Sequence, residues 1–127
     1  MDHRITILPV SERVVVRWRG QVVVDTTHAL ELREASYPPV LYVPREDADM
    51  KAFDPTTRQT TCPFKGVANY FTLRSETAYD DNAVWTYETP KPGVEQIREH
   101  LAFYPDKVEI AREPAWSRSL DIARHVD

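Results

Sequence analysis

Ten prolines interrupt this chain of 127 residues, against only three glycines. Proline fixes φ and lacks an amide donor, so it stops helices and is kept out of central strands. The chain is therefore expected to fold as short elements separated by rigid turns. Val14-Val15-Val16-Arg17-Trp18, then Arg19-Gly20-Gln21, then Val22-Val23-Val24 spell a hairpin, with Gly20 free to take positive φ in the turn. Leu30-Glu31-Leu32-Arg33-Glu34 alternates apolar and charged residues, as a half-buried strand does. Val40-Leu41-Tyr42-Val43, between Pro38-Pro39 and Pro44, reads as another strand. Arg45 to Phe53 is charged and weakly patterned, a short helix or an irregular loop.

The Thr-rich stretch from Pro55 to Gly66 reads as a loop. Asn69 to Leu73 and Ala83 to Tyr87 are aromatic-rich strands, with turn chemistry between them at Tyr79-Asp80-Asp81-Asn82. Pro92 to Leu101 is the best helix: Pro92 suits its first turn, and Val94, Ile97 and Leu101 fall on one face. Pro105 stops it, and Lys107 to Ile110 is a last strand. From Glu113 to Asp127, either Trp116, Leu120, Ile122 and Ala123 make one apolar helical stripe or the segment is ordered only by a neighbour. These elements predict a mainly β fold (α+β at most): one domain over residues 1–111, two packed antiparallel sheets with one or two short helices, and a tail or helix over 112–127.

Composition excludes several classes. No apolar run approaches the ~20 residues of a spanning helix, and the acidic second residue does not suit a signal peptide. A net charge of −4 argues against a nucleic-acid or anionic-membrane partner. With one cysteine, neither an intrachain disulfide nor a thiolate zinc cage can form. The four histidines lack zinc-ligand spacing. A cytoplasmic protein without a cofactor or metal is expected; its oligomeric state is open.

Three segments are dense in chemistry. In the first, Tyr37 to Asp47, prolines on both sides of the strand hold Tyr42 and Arg45 in set directions. Arg45 offers a planar fork for carboxylate or phosphate, or pairs with a nearby Glu46 or Asp47. In the second, Thr60-Thr61-Cys62-Pro63-Phe64-Lys65-Gly66, a thiol beside a cation is a candidate nucleophile, the backbone and Lys65 are candidate anion binders, and Cys62 equally suits simple packing. In the third, Trp85 and Tyr87 project to one face of a strand and Val84 and Thr86 to the other, an aromatic face that is either core or pocket wall. Tyr104 follows in Tyr104-Pro105-Asp106.

Taken together, four runs resemble the DUF427 family of bacterial and fungal proteins: Pro38 to Asp47, Thr60 to Gly66, Asn82 to Tyr87 and Ala102 to Asp106. The resemblance spans roughly residues 4 to 111, with Phe64 where tyrosine is commoner. It implies a β-tent, or Mss4-like, fold of two antiparallel sheets at an angle. Many proteins of that fold bind zinc through paired Cys-x-x-Cys motifs, which this chain lacks. The family also carries a nucleotidyltransferase label, and such chemistry needs Mg²⁺ held by carboxylates, for which Asp47, Asp49, Asp80 and Asp81 are available.

Three functions follow as expectations. The first is a module that binds a small anionic ligand, such as a nucleotide or phosphorylated metabolite, where Tyr42, Arg45, Cys62, Lys65, Trp85 and Tyr104 meet. The second is an enzyme, either of nucleotidyltransferase type or with Cys62 as nucleophile, Lys65 or Arg45 lowering its pKa, and Asp47 as acid or base. The third is a protein-interaction domain without a small ligand, with the Trp116 tail as contact.

Overall fold

Both valine runs form the expected hairpin, and the rest of the chain is built around it. The computed structural model describes residues 4–117. In chain order the strands are β1 (Ile5–Pro9), β2 (Arg13–Trp18), β3 (Gln21–Thr26), β4 (Leu30–Glu34), β5 (Val40–Pro44), β6 (Phe53–Cys62), β7 (Gly66–Arg74), β8 (Tyr79–Tyr87), β9 (His100–Phe103) and β10 (Glu109–Glu113). Seven make one sheet in the order β1-β4-β5-β9-β8-β7-β6, and β10-β2-β3 make a second. Every neighbouring pair is antiparallel. The domain is thus mainly β with two antiparallel sheets, as expected. Among the described residues no helix is long and apolar enough to cross a membrane.

The period of two along each strand divides the side chains of the large sheet between two cores. Val43, Phe71, Leu73, Val84 and Leu101 face the small sheet and pack on Val14, Val16, Trp18 and Val24. Their neighbours Tyr42, Tyr70 and Ala102 face the other way, with Leu32, Ala68 and Tyr87, and Val94 and Ile97 close over them. Trp85 packs with this second group, as its alternation with Val84 predicts. The β2–β3 turn is tighter than a lone flexible glycine would suggest. Arg19 and Gly20 both take positive φ, at 49° and 82°, the twist-matched pattern of a two-residue hairpin turn.

Four expectations are corrected. Pro92 to Leu101 is not a helix. Only Glu95–Ile97 makes a 3₁₀ turn, between Gly93 at φ 98° and Glu99 at φ 58°. Val94 and Ile97 are buried because residues three apart eclipse in such a turn; Leu101 already belongs to β9 and to the opposite core. The stretch from Pro55 to Gly66 is no loop: β6 runs through it to Cys62. Threonines favour strands, and Pro55 is tolerated because β6 is an edge. Tyr79 to Asn82 is not a turn but the start of β8. The chain reverses at Ser75–Ala78, where the Ser75 hydroxyl accepts from the amides of Thr77 and Ala78. The turn chemistry of Asp81-Asn82 instead serves a bulge, with a register shift opposite Phe71 and Leu73 and Asn82 at φ 51°. Finally, the last strand is Glu109–Glu113 rather than Lys107 to Ile110. Arg45 to Phe53 resolves into two 3₁₀ turns, Arg45–Asp47 and Met50–Ala52, ending in β6. The expected helical stripe of the tail falls, beyond Trp116, outside the described residues.

Candidate functional site

A break in the large sheet creates the site. β5 and β9 share only two register pairs, Val43 with Leu101 and Pro44 with His100. Continued in the same register, the ladder would join Leu41 to Phe103, but the strands part there. A cleft of about 910 Å³ opens with Pro38 to Leu41 on one wall and Phe103 and Pro105 on the other. Trp85 lies in it, the β6–β7 turn at Cys62 to Phe64 closes one side, and Ile110 and Arg112 of β10 complete the lining. A hollow of about 260 Å³ adjoins it, sharing Glu34, Val40 and Trp85 and adding Tyr42, Lys65, Tyr70, Tyr87 and Tyr104. Volume and lining are those of small-molecule sites, mostly apolar with a few placed polar groups.

Strand register explains the aromatic density. Tyr70 is the direct cross-strand partner of Trp85, and Trp85 of Ala102. The small Ala102 leaves the indole exposed to the hollow. Tyr104 packs on Trp85 with ring centroids 4.8 Å apart. Tyr42 meets Trp85 edge to face at 6.5 Å, and the indole Nε1 donates to the Tyr42 hydroxyl at 3.2 Å. Burial pushes the Tyr42 and Tyr87 hydroxyls far above the usual phenol range, so both stay neutral.

Polar groups in the hollow are paired with one another. Lys65 Nζ donates to Glu34 Oε1 at 2.5 Å, with 11% and 14% of the two side chains exposed. The lysine is carried there by the β6–β7 turn, which requires Gly66 at φ 114° and is tied down by Lys91, whose amide donates to the Lys65 carbonyl and whose ammonium donates to that of Pro63. Tyr70 Oη lies 2.9 Å from Thr60 Oγ1 and 3.5 Å from Tyr104 Oη. Burial alone would raise Tyr70, but its hydrogen bonds with Thr60 and Tyr104 and the nearby Arg58 cation outweigh it and lower its pKa. Tyr104, hydrogen-bonded to Tyr70, is pushed up to about 12. Of this linked pair Tyr70 ionises first, because Thr60 and Arg58 favour charge on its oxygen. At the cleft, Glu31 accepts from Arg112 at 2.9 Å and Arg33 at 2.6 Å. Those two hydrogen bonds, against burial, hold its carboxyl below the usual 4.5.

Of the residues expected to form one pocket, Tyr42, Lys65, Trp85 and Tyr104 converge in the hollow, and Cys62 sits at the cleft rim. Arg45 does not join them. It lies three residues beyond Tyr42 and follows an extended Pro44, so alternation sets it on the opposite face, where it donates to Thr86 and Glu88, both at 3.1 Å, above the Phe71 ring. Asp47 is equally remote from Cys62. Its carboxylate accepts from Thr26 Oγ1 at 2.7 Å and so ties the turn to β3. The carboxylates suggested for Mg²⁺ do not converge either. Asp80 accepts from Trp18 Nε1 at 2.8 Å and pairs with Arg19, while Asp81 accepts from Thr72. Among the described residues no three His, Cys, Asp or Glu side chains are grouped to hold a metal ion, so the residues present do not fit that requirement. Tyr87 lines the hollow beside Trp85, the pocket-wall alternative for that aromatic face, whereas Glu34 and Tyr70 of the lining, and Arg58 beside Tyr70, are not marked out by the local sequence. The one available signal was the strand alternation that groups Tyr70 with Ala68 and Tyr87 with Trp85.

A family model described as a domain of unknown function, DUF427, with the short name NTP_transf_9, matches residues 6–114. That is most of the chain, and the chain belongs to this family. No curated protein matches it.

Proposed function

We propose that this DUF427 chain binds a small molecule that joins a planar ring to an acidic group. The supporting observation is the continuity of an apolar cleft with an aromatic, hydroxyl-rich hollow through the shared Trp85. The ring lies in the cleft against Trp85, and the acidic group reaches the hollow. Burying ~100 Å² of ring contributes about 2.5 kcal/mol, and stacking on an aromatic side chain adds about 1 kcal/mol. A nucleotide or an aromatic carboxylate meets both requirements; a sugar phosphate without a base meets only one. The cleft lining itself pairs Glu31 with Arg112 and so favours no strong net charge.

A thermal-shift panel tests this reading, with nucleotides, aromatic carboxylates and ring-free sugar phosphates side by side. A ligand at 100 times its Kd contributes about 2.7 kcal/mol, roughly 10 °C for a domain of this size. Ring-plus-acid compounds are expected to raise Tm, ring-free phosphates to leave it unchanged, and Trp85→Leu to abolish the shift while the variant remains folded. A response to ring-free phosphates alone, or to nothing in the panel, refutes the proposal.

A further inference from the structure

Which group receives the acid is a separate question, and its answer rests on the ring-and-acid reading just given. The cations nearest the cleft are already engaged. Lys65 is held by Glu34, so an anion at its ammonium meets a carboxylate 2.5 Å away. Arg112 is held between Glu12 at 2.7 Å and Glu31 at 2.9 Å. Arg45 faces the other side of the sheet.

Arg58 is different. A register shift between Pro55 and Gln59 interrupts the β6–β7 ladder, and such a bulge re-aims the side chains it carries. It sets the Arg58 guanidinium 4.9 Å from the centre of the Tyr70 ring. Among the described residues Arg58 makes no ion pair with a carboxylate, and its side chain is exposed beside Tyr70, which lines the hollow. Thr60, two residues on, is bonded to the Tyr70 hydroxyl, and Tyr70 in turn contacts Tyr104. Thr60, Tyr70 and Tyr104 bring three hydroxyl hydrogens, and the two contacts among them use two. One O–H therefore remains to donate to a ligand. Tyr104 joins the two halves of the site, its ring on Trp85 and its hydroxyl in the cluster.

We infer that Arg58, with the hydroxyl cluster of Thr60, Tyr70 and Tyr104, is an oxyanion subsite that receives the acidic group of the ligand in place of Lys65. Guanidinium and hydroxyl donors together suit a carboxylate or phosphate oxygen. The ease with which Tyr70 ionises is consistent with a position that favours negative charge.

Tyr70 also supplies the readout. An anion bound beside it opposes its ionisation. The experiment follows tyrosinate by ultraviolet difference absorbance through a pH titration, in sodium sulfate and in sodium chloride at equal ionic strength. Sulfate is expected to raise the midpoint of the first-ionising tyrosine saturably, by about half a unit or more. Tyr70→Phe removes that first transition. Arg58→Gln raises its midpoint in chloride and abolishes the sulfate effect, while Lys65→Met leaves the sulfate effect in place. Equal midpoints in the two salts overturn the inference, as does a sulfate effect that survives Arg58→Gln but is lost in Lys65→Met. Because sulfate has no ring, this result is independent of the cleft. A sulfate effect beside a flat thermal-shift panel retains the oxyanion subsite and rejects the ring.

Discussion

The Trp85–Tyr42 hydrogen bond gives the sharpest test of how the site is held together. Tyr42 is only 1% exposed, and its hydroxyl has no other hydrogen-bond partner among the described residues. Trp85→Phe removes that donor and part of a half-buried indole. The stranded hydroxyl costs about 1–3 kcal/mol, and ~40 Å² of lost apolar contact adds about 1 kcal/mol. Tyr42→Phe alone strands the indole N–H, which faces the hollow and can find water, so its cost is lower, about 1 kcal/mol. The double variant strands neither group. Its destabilisation should fall below the sum of the single variants by about 1 kcal/mol. Urea unfolding of all four proteins measures this, provided the slopes agree. A coupling energy below about 0.3 kcal/mol refutes the reasoning, because it means water in the hollow replaces either partner without penalty.

Two further outcomes follow from features beside the site. Gly66→Ala places a side chain at φ 114°, with its Cβ 3.4 Å from the Thr89 carbonyl oxygen; it should cost about 2 kcal/mol and lower Tm by roughly 8 °C, and an unchanged Tm in a thermal melt would contradict the turn conformation. Glu31 has its pKa lowered by Arg112 and Arg33, so its contribution to stability is complete above 4.5 and is lost as pH falls through its lower folded value. Glu31→Gln should therefore flatten the acid limb of a stability–pH profile, and an acid limb as steep as wild type would show that Glu31 does not carry it.

Sequence patterns were readable where burial on one face imposed alternation. Leu30 to Glu34 and the valine hairpin formed the expected strands because each has an apolar period of two. β6 was unreadable because an edge strand with little buried surface needs no such period. The spacing of Val94, Ile97 and Leu101 suggested a helix because a 3₁₀ turn followed by a strand can place apolar residues at the same intervals. At the site, Tyr42, Lys65, Trp85 and Tyr104 stood out because their segments are chemically dense. Arg45 stood out for the same reason, yet it lies three residues beyond Tyr42, an odd spacing that sets it on the other face. Tyr70 and Arg58 depend on long-range pairing. One is set by the β7–β8 register and the other by a bulge in β6, and neither appears in local sequence.

The two-pair contact between β5 and β9 has a mechanical meaning. It divides the large sheet into two plates, β1-β4-β5 and β9-β8-β7-β6, joined along a seam by Val43, Pro44, His100 and Leu101. With so few ladder bonds, the seam depends on Val43 and Leu101, both fully buried against the small sheet. The small sheet thus acts as a clasp across the seam. Val14 and Val16 pack in the same core as Val43 and Leu101 and are the register partners of the cleft-lining Arg112 and Ile110, so one strand of the small sheet connects the seam to the cleft wall.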